Sequence, residues 1–185
     1  MSQPVTDLSR FSNATYHPGA SWLKQLLWYF LNAWVLNAYW FPWSGGRVAL
    51  LRLFGARIGQ GVNIKPHVNI KYPWLLTIGD HSWIGENVWI DNLVPVTIGN
   101  HCCLSQGALL LTGNHDYHKT TFDLMTGSIV LEDGVWIGAQ AVVTPGVTCH
   151  SHAVLAVGSV ASTPLDAYTV YRGNPAVEVR QRIIQ

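Results

Sequence analysis

Residues 109–124 read LLLTGNHDYHKTTFDL. Between His115 and Asp123 the chain places two histidines, two aspartates and a lysine. Such a set suits proton transfer. A neutral imidazole titrates near physiological pH and can take the proton of a weak nucleophile such as an alcohol. A carboxylate nearby can orient that ring, and Asp116 is adjacent to His115. A zinc site is the competing use of histidine. The eight histidines stand at 17, 67, 81, 101, 115, 118, 150 and 152, and no two are five apart. The three-histidine zinc motif that uses that spacing is therefore missing, and no metal is expected.

The segment that precedes this cluster keeps a regular count. Aliphatic residues recur at every sixth position through Ile58, Ile64 and Ile70, then Ile78, Ile84 and Ile90, then Ile98, Leu104 and Leu110. Two extra residues separate each triplet from the next. The count resumes at Leu131 and runs through Ile137, Val143, Cys149, Leu155 and Ala161. Small or β-branched residues often stand two before the repeating residue, and glycine often stands one after it, as at Gly59, Gly79, Gly85, Gly99 and Gly138. A period of six matches neither a helix nor an ordinary strand. It is the period of a solenoid in which each unit makes one short strand and one turn, and three units close one coil. The repeating residue then points inward, and the glycine is expected to permit the corner. Leu110 and Leu131 are 21 residues apart, where six would continue the count. A long interruption in a compact repeat is usually functional, and this one contains the ionisable cluster.

TGNHD within these tandem repeats closely resembles the active-site motif of the hexapeptide-repeat acyltransferases. PGVTCHSHAVLAVGSV and YRGNPAVEVRQR resemble the terminal coil and tail of the sugar O-acetyltransferases. DLSRF, LLRLFGARIG and IKYPWLLTIGDHSWIGENV narrow the similarity to the colanic-acid biosynthesis acetyltransferase type, a relative of the maltose, galactoside and nodulation-factor enzymes. The resemblance implies an all-β main domain, a left-handed parallel β-helix of about five coils, with an N-terminal α-helical segment. Expected boundaries are an N-terminal arm with Trp-rich helices over 1–57, the β-helix over 58–163 with an extended loop at 111–130, and a tail over 164–185.

The resemblance also implies acetyl-CoA as co-substrate, a sugar or glycan hydroxyl as acceptor, and a homotrimer with sites in the grooves between subunits. His115 becomes the general base for direct transfer, with backbone N–H groups stabilising the oxyanion; His118 is read as solvated or acceptor-facing. Asp91 and Asn92 are equal candidates for the acceptor contact, with Asp116 beside the base. Trp136 matches an aromatic contact to the pantetheine arm. Ala139 and Val157 match backbone contacts to the cofactor. Arg180 matches a cation near its phosphates, with Arg182 available to support it because Val177 stands where many relatives have lysine. The alternatives are a serine or xenobiotic acetyltransferase, or a non-catalytic hexapeptide-repeat scaffold.

Composition sets the remaining bounds. Only 11% of residues are charged and the net charge is +1, so there is no basic stripe for nucleic acid. With 49% hydrophobic residues, some apolar surface is expected to be covered by oligomerisation or a membrane. Three cysteines and no apolar leader in MSQPVTDLSRFSNATYHPG suit a reducing cytoplasm. Cys102 and Cys149 are expected in the core. The segment 21–43 carries Trp22, Trp28, Trp34 and Trp40 at six-residue intervals, ended by Pro42 and Gly45-Gly46. As a helix it would point these rings in three directions. It fits a helix packed on the main domain or on a neighbouring subunit, one lying at the inner face of a membrane, or, least readily, one that spans it. A second short helix is expected to close at Gly55.

Overall fold

Fourteen of the fifteen repeating residues, Ile64 through Ala161, are at most 1% exposed, and Ile58 packs against the same core. They line the inside of a three-sided parallel β-solenoid in the computed structural model, which describes residues 4–14 and 16–185. Pairing follows the six-residue count. Ile58, Ile78, Ile98, Leu131 and Cys149 stack in register on the first face. Ile64, Ile84, Leu104, Ile137 and Leu155 do so on the second. Ile70, Ile90, Leu110, Val143 and Ala161 complete the third. The interior is thus three aliphatic columns, and burying them is the main stabilising term.

The corners work differently from expectation. The turn is made three residues after the repeating position, where φ is positive at Gly61, His81, His101, Gly134, His152 and Tyr168 along one corner. Four histidines (67, 81, 101 and 152) occupy such left-handed positions, so they are corner residues, and neighbouring rings stack, as His152 does on Tyr168 at 4.6 Å and 3°. The glycines one after the repeating residue serve a different need. A Cβ on Gly138 would lie 2.6 Å from Val157 N, and one on Gly79 would lie 2.6 Å from Asn100 Oδ1. Glycine stands there because the next coil passes too close for a side chain.

Five full coils are followed by the start of a sixth. Leu165 bridges in parallel to Cys149, and Val170 and Tyr171 pair with Val154 and Leu155. The step from Ala161 to Leu165 is four residues, which hides this coil from a six-residue count. The chain then folds back as the antiparallel strand Ala176–Gln181. Cys102 and Cys149 are buried, and burial pushes their thiols up to about 11 and about 12.

The opposite end is capped by helices. α1 (Trp22–Leu31) starts at Ser21, whose hydroxyl accepts from the Lys24 N–H and so satisfies one of the free donors of the first turn. A π-helical turn follows at Asn32–Leu36, and α2 (Ser44–Leu53) closes through Phe54 to Gly55. Gly45 and Gly46, read from sequence as terminators, instead lie in the first turn of α2, where a Cβ on Gly46 would strike the Phe41 ring. Each face of the first coil would leave an open strand edge. Arg52 donates to Ile58 O and Gly59 O at 2.8 and 2.7 Å. Ser44 Oγ accepts from Ile64 N at 2.8 Å, and buried Arg47 donates to Ile64 O. Trp28 Nε1 donates to Ile70 O at 2.8 Å. The cap therefore serves all three edges while Trp28, Leu36 and Leu51 plug the column.

Candidate active site

The interruption between Leu111 and Ile129 leaves the third face as an antiparallel hairpin of Gly113–His115 and Leu124–Thr126, pairing His115 with Leu124. Its turn is tied locally. The Asp116 carboxylate accepts from the His118 N–H, Asp116 N donates to Asp123 O, and Lys119 Nζ meets Asp123 Oδ2 at 2.9 Å. The N-terminal arm holds it from outside through Asp7 N to Thr120 O at 2.8 Å.

Folding back brings Phe122 onto His115. The two rings stack at 4.5 Å and 7°, and Phe11 of the arm meets the imidazole edge-on at 5.6 Å. His115 Nδ1 lies 2.9 Å from the Phe122 carbonyl oxygen. A carbonyl only accepts, so Nδ1 carries the hydrogen. The neutral ring then keeps its lone pair on Nε2, facing away from the bond that fixes it. Phe122 holds this position at a positive φ of 52°, a conformation that costs a non-glycine residue about 1–2 kcal/mol. Spacing gives no hint of either aromatic partner. Asp116 is spent on the turn and does not hold the ring. It lines a separate cavity of about 520 Å³ beneath the arm, with Tyr16, Lys119 and Asp123. His118 is exposed.

The two acceptor candidates separate clearly. Asn92 is fully buried, and its amide spans the Tyr72 main chain, accepting from N at 3.0 Å and donating to O at 2.6 Å. Its polar atoms face the neighbouring coil and not a ligand. Asp91 pairs in register with Leu111, the last residue before the hairpin leaves the face. Lys71 Nζ lies 2.9 Å from Asp91 Oδ1, an ion pair between successive coils. Asp91 opens on a groove lined by Tyr29, Asn32, Tyr72 and Trp89.

On the second face, Trp136 is 46% exposed and donates from Nε1 to Ser105 Oγ at 2.9 Å. It lines one groove with Val154, Val170 and Arg180. Ala139 and Val157 stand at the following corner on successive coils, where Ala139 O accepts from Gly158 N at 2.9 Å. Arg182 is committed elsewhere, donating to Gly134 O and His152 O at 2.8 and 3.1 Å. Among the described residues, no group of three His, Cys, Asp or Glu side chains is placed to hold a metal ion.

The three-faced parallel solenoid is a fold shared with solved hexapeptide-repeat acetyltransferases. The chain belongs to the hexapeptide-repeat acetyltransferases. No family model matches it, and the membership rests on its relatives. It is 40% identical over 184 residues to the protein assigned as the colanic acid biosynthesis acetyltransferase WcaF of Escherichia coli (strain K12), covering 97% of this chain and 98% of that one. It is 25% identical over 138 residues to galactoside O-acetyltransferase of the same organism, covering 73% of this chain and 68% of that one. Among solved structures, the hexapeptide-repeat acetyltransferase VCA0836 of Vibrio cholerae, complexed with acetyl coenzyme A, superposes with a TM-score of 0.79 at 27% identity, covering 90% of this chain and 92% of that one.

Proposed function

We propose that the protein is an acetyl-CoA-dependent O-acetyltransferase that acetylates a sugar hydroxyl in exopolysaccharide or capsule assembly of the colanic-acid kind. The observation that carries this reading is the His115 ring, bound through Nδ1–H to Phe122 O with Nε2 left as acceptor. Nε2 takes the proton of the acceptor hydroxyl as its oxygen attacks the thioester carbonyl. The C–S bond then breaks, and the imidazolium returns the proton to the departing thiolate. The acetyl group passes directly from sulfur to oxygen, so no cysteine is needed. The assignment of the substrates is supported by the WcaF relative and by the acetyl-CoA complex of the Vibrio protein.

In this reading Trp136 and the Arg180 guanidinium, which share a groove, receive the pantetheine arm and the phosphates, and the backbone at Ala139 and Val157 follows the same ligand. Asp91 receives the acceptor and Asn92 is structural. Asp116 bounds the acceptor side through the hairpin turn. The protein works in the cytoplasm as a homotrimer, which sets the His115 hairpin of one subunit against the second face of its neighbour.

The test is His115→Ala, followed by thiol release from acetyl-CoA over a panel of sugar nucleotides and lipid-linked glycans. Loss of a general base lowers turnover by about 10²–10⁴-fold, with the mass by light scattering unchanged. Undiminished turnover on an accepted sugar would sink the assignment.

A further inference from the structure

We infer that the helical end of the solenoid docks on the surface of an anionic lipid bilayer. The cap of a solenoid normally turns a polar outer face to water. Here the inward side of the cap is Trp28, Leu36 and Leu51, and the outward side is also apolar. Trp22, Tyr29, Trp34, Tyr39, Trp40 and Trp43 are each between 61 and 72% exposed. Tryptophan and tyrosine at this density match the membrane–water interface, where the ring is apolar and its polar atom stays hydrated.

Charge identifies the kind of bilayer. Residues 8–79 contain seven Lys or Arg and no Asp or Glu, whereas nine of the ten acidic residues lie at Asp80 or beyond. Of those seven, Arg47 is buried, Lys71 pairs with Asp91 and Arg10 lies on the arm beside the His115 hairpin, which leaves Lys24, Arg52, Arg57 and Lys65 at the helical end. Arg52, Arg57 and Lys65 are exposed around the first coil. Asp80 stands one coil further on and accepts from Gln60 N. A basic rim around an aromatic face attracts anionic headgroups. Two copies joined end to end would set like charges against each other, which disfavours a second copy as the occupant. Among the described residues, no helix is long and apolar enough to cross a membrane. The cap therefore lies in the interface. The inference does not depend on which hydroxyl is acetylated.

The experiment is flotation of the full chain with vesicles of phosphatidylcholine and phosphatidylglycerol, about two parts to one, against phosphatidylcholine alone. The protein is expected to float with the anionic vesicles, more weakly with the neutral ones, and less as salt rises. The variant carrying Trp22→Ser, Trp34→Ser and Trp40→Ser is expected to bind at least about tenfold less, with its thermal unfolding retained because Trp28 is intact. As a check that needs no variant, brominated lipid in the anionic vesicles should quench the wild-type tryptophan emission. Wild-type protein that stays below the vesicles, or emission that brominated lipid leaves unchanged, overturns the inference. So does a wild-type assembly that ignores vesicles and loses mass in the triple variant, since the face would then belong to a second copy.

Discussion

Replacing Phe122 by alanine isolates what holds the His115 ring. The change removes the ring that stacks on His115 at 4.5 Å and 7° but keeps the carbonyl that accepts from Nδ1. An aromatic pair of this kind contributes about 0.5–1.5 kcal/mol beyond its buried area. If that energy holds the productive ring orientation, its loss lowers turnover by about 2-fold to 13-fold. The KM for acetyl-CoA should change less than kcat, because the ring that is lost stacks on His115 and not on Trp136. Phe122→Gly provides the partner measurement. It loses the same stack but relieves the positive φ of 52°, so its hairpin should be more stable than that of the alanine variant by about 1 kcal/mol. Steady-state thiol release gives kcat and KM, and amide hydrogen exchange of the hairpin gives the stability. Equal kcat in wild type and both variants would refute the idea that the stack positions the base. A loss as large as that of His115→Ala would refute it too, because it would mean that the hairpin had collapsed.

Other changes test neighbouring assignments. Arg180→Ala should raise the KM for acetyl-CoA without moving the melting temperature, whereas Arg182→Ala should lower the melting temperature because Gly134 O and His152 O lose their donor; kinetics and differential scanning calorimetry separate the two. Asn92→Ala should cost about 1–3 kcal/mol in denaturant unfolding by orphaning the Tyr72 main chain, while Asp91→Ala should act on the acceptor KM. The Glu132 carboxyl is held below its ordinary value of 4.5, first by the His150 hydrogen bond and then by Ser151. Its folded pKa is depressed, so its contribution is complete above the unfolded value and is lost as pH falls through the folded one. Glu132→Gln should accordingly flatten the fall in melting temperature on acidification below about pH 4.5.

The architecture was legible because each coil repeats the same requirement. One residue in six must fill the interior column, and that requirement is written locally in Ile58, Ile64 and their successors. The sixth coil escaped the count because its corner is shorter, so Leu165 falls four residues after Ala161. The corner glycines were assigned the wrong reason. Gly79 and Gly138 stand beside residues twenty or so positions away in the chain, and only the stacked coils reveal that a Cβ would collide there. The N-terminal segment was ambiguous for a related cause. Its tryptophans look equivalent in sequence, but only Trp28 meets the open edge of the first coil, at Ile70 O.

The candidate site divides in the same way. His115 stood out because it lies in the long interruption, inside TGNHD, where the repeat no longer dictates residue types. The sequence by itself determined the solenoid, its interruption and the family resemblance, since these depend on intervals along one chain. Tertiary structure decided which nitrogen of His115 is left as acceptor, through the Phe122 carbonyl seven residues on, and which of Asp91 and Asn92 is buried against Tyr72. It also decided that Arg52, Arg57 and Lys65 stay exposed at the end that carries the aromatic surface. Those outcomes depend on distance and direction between groups, and an interval in sequence carries neither until the coils are stacked.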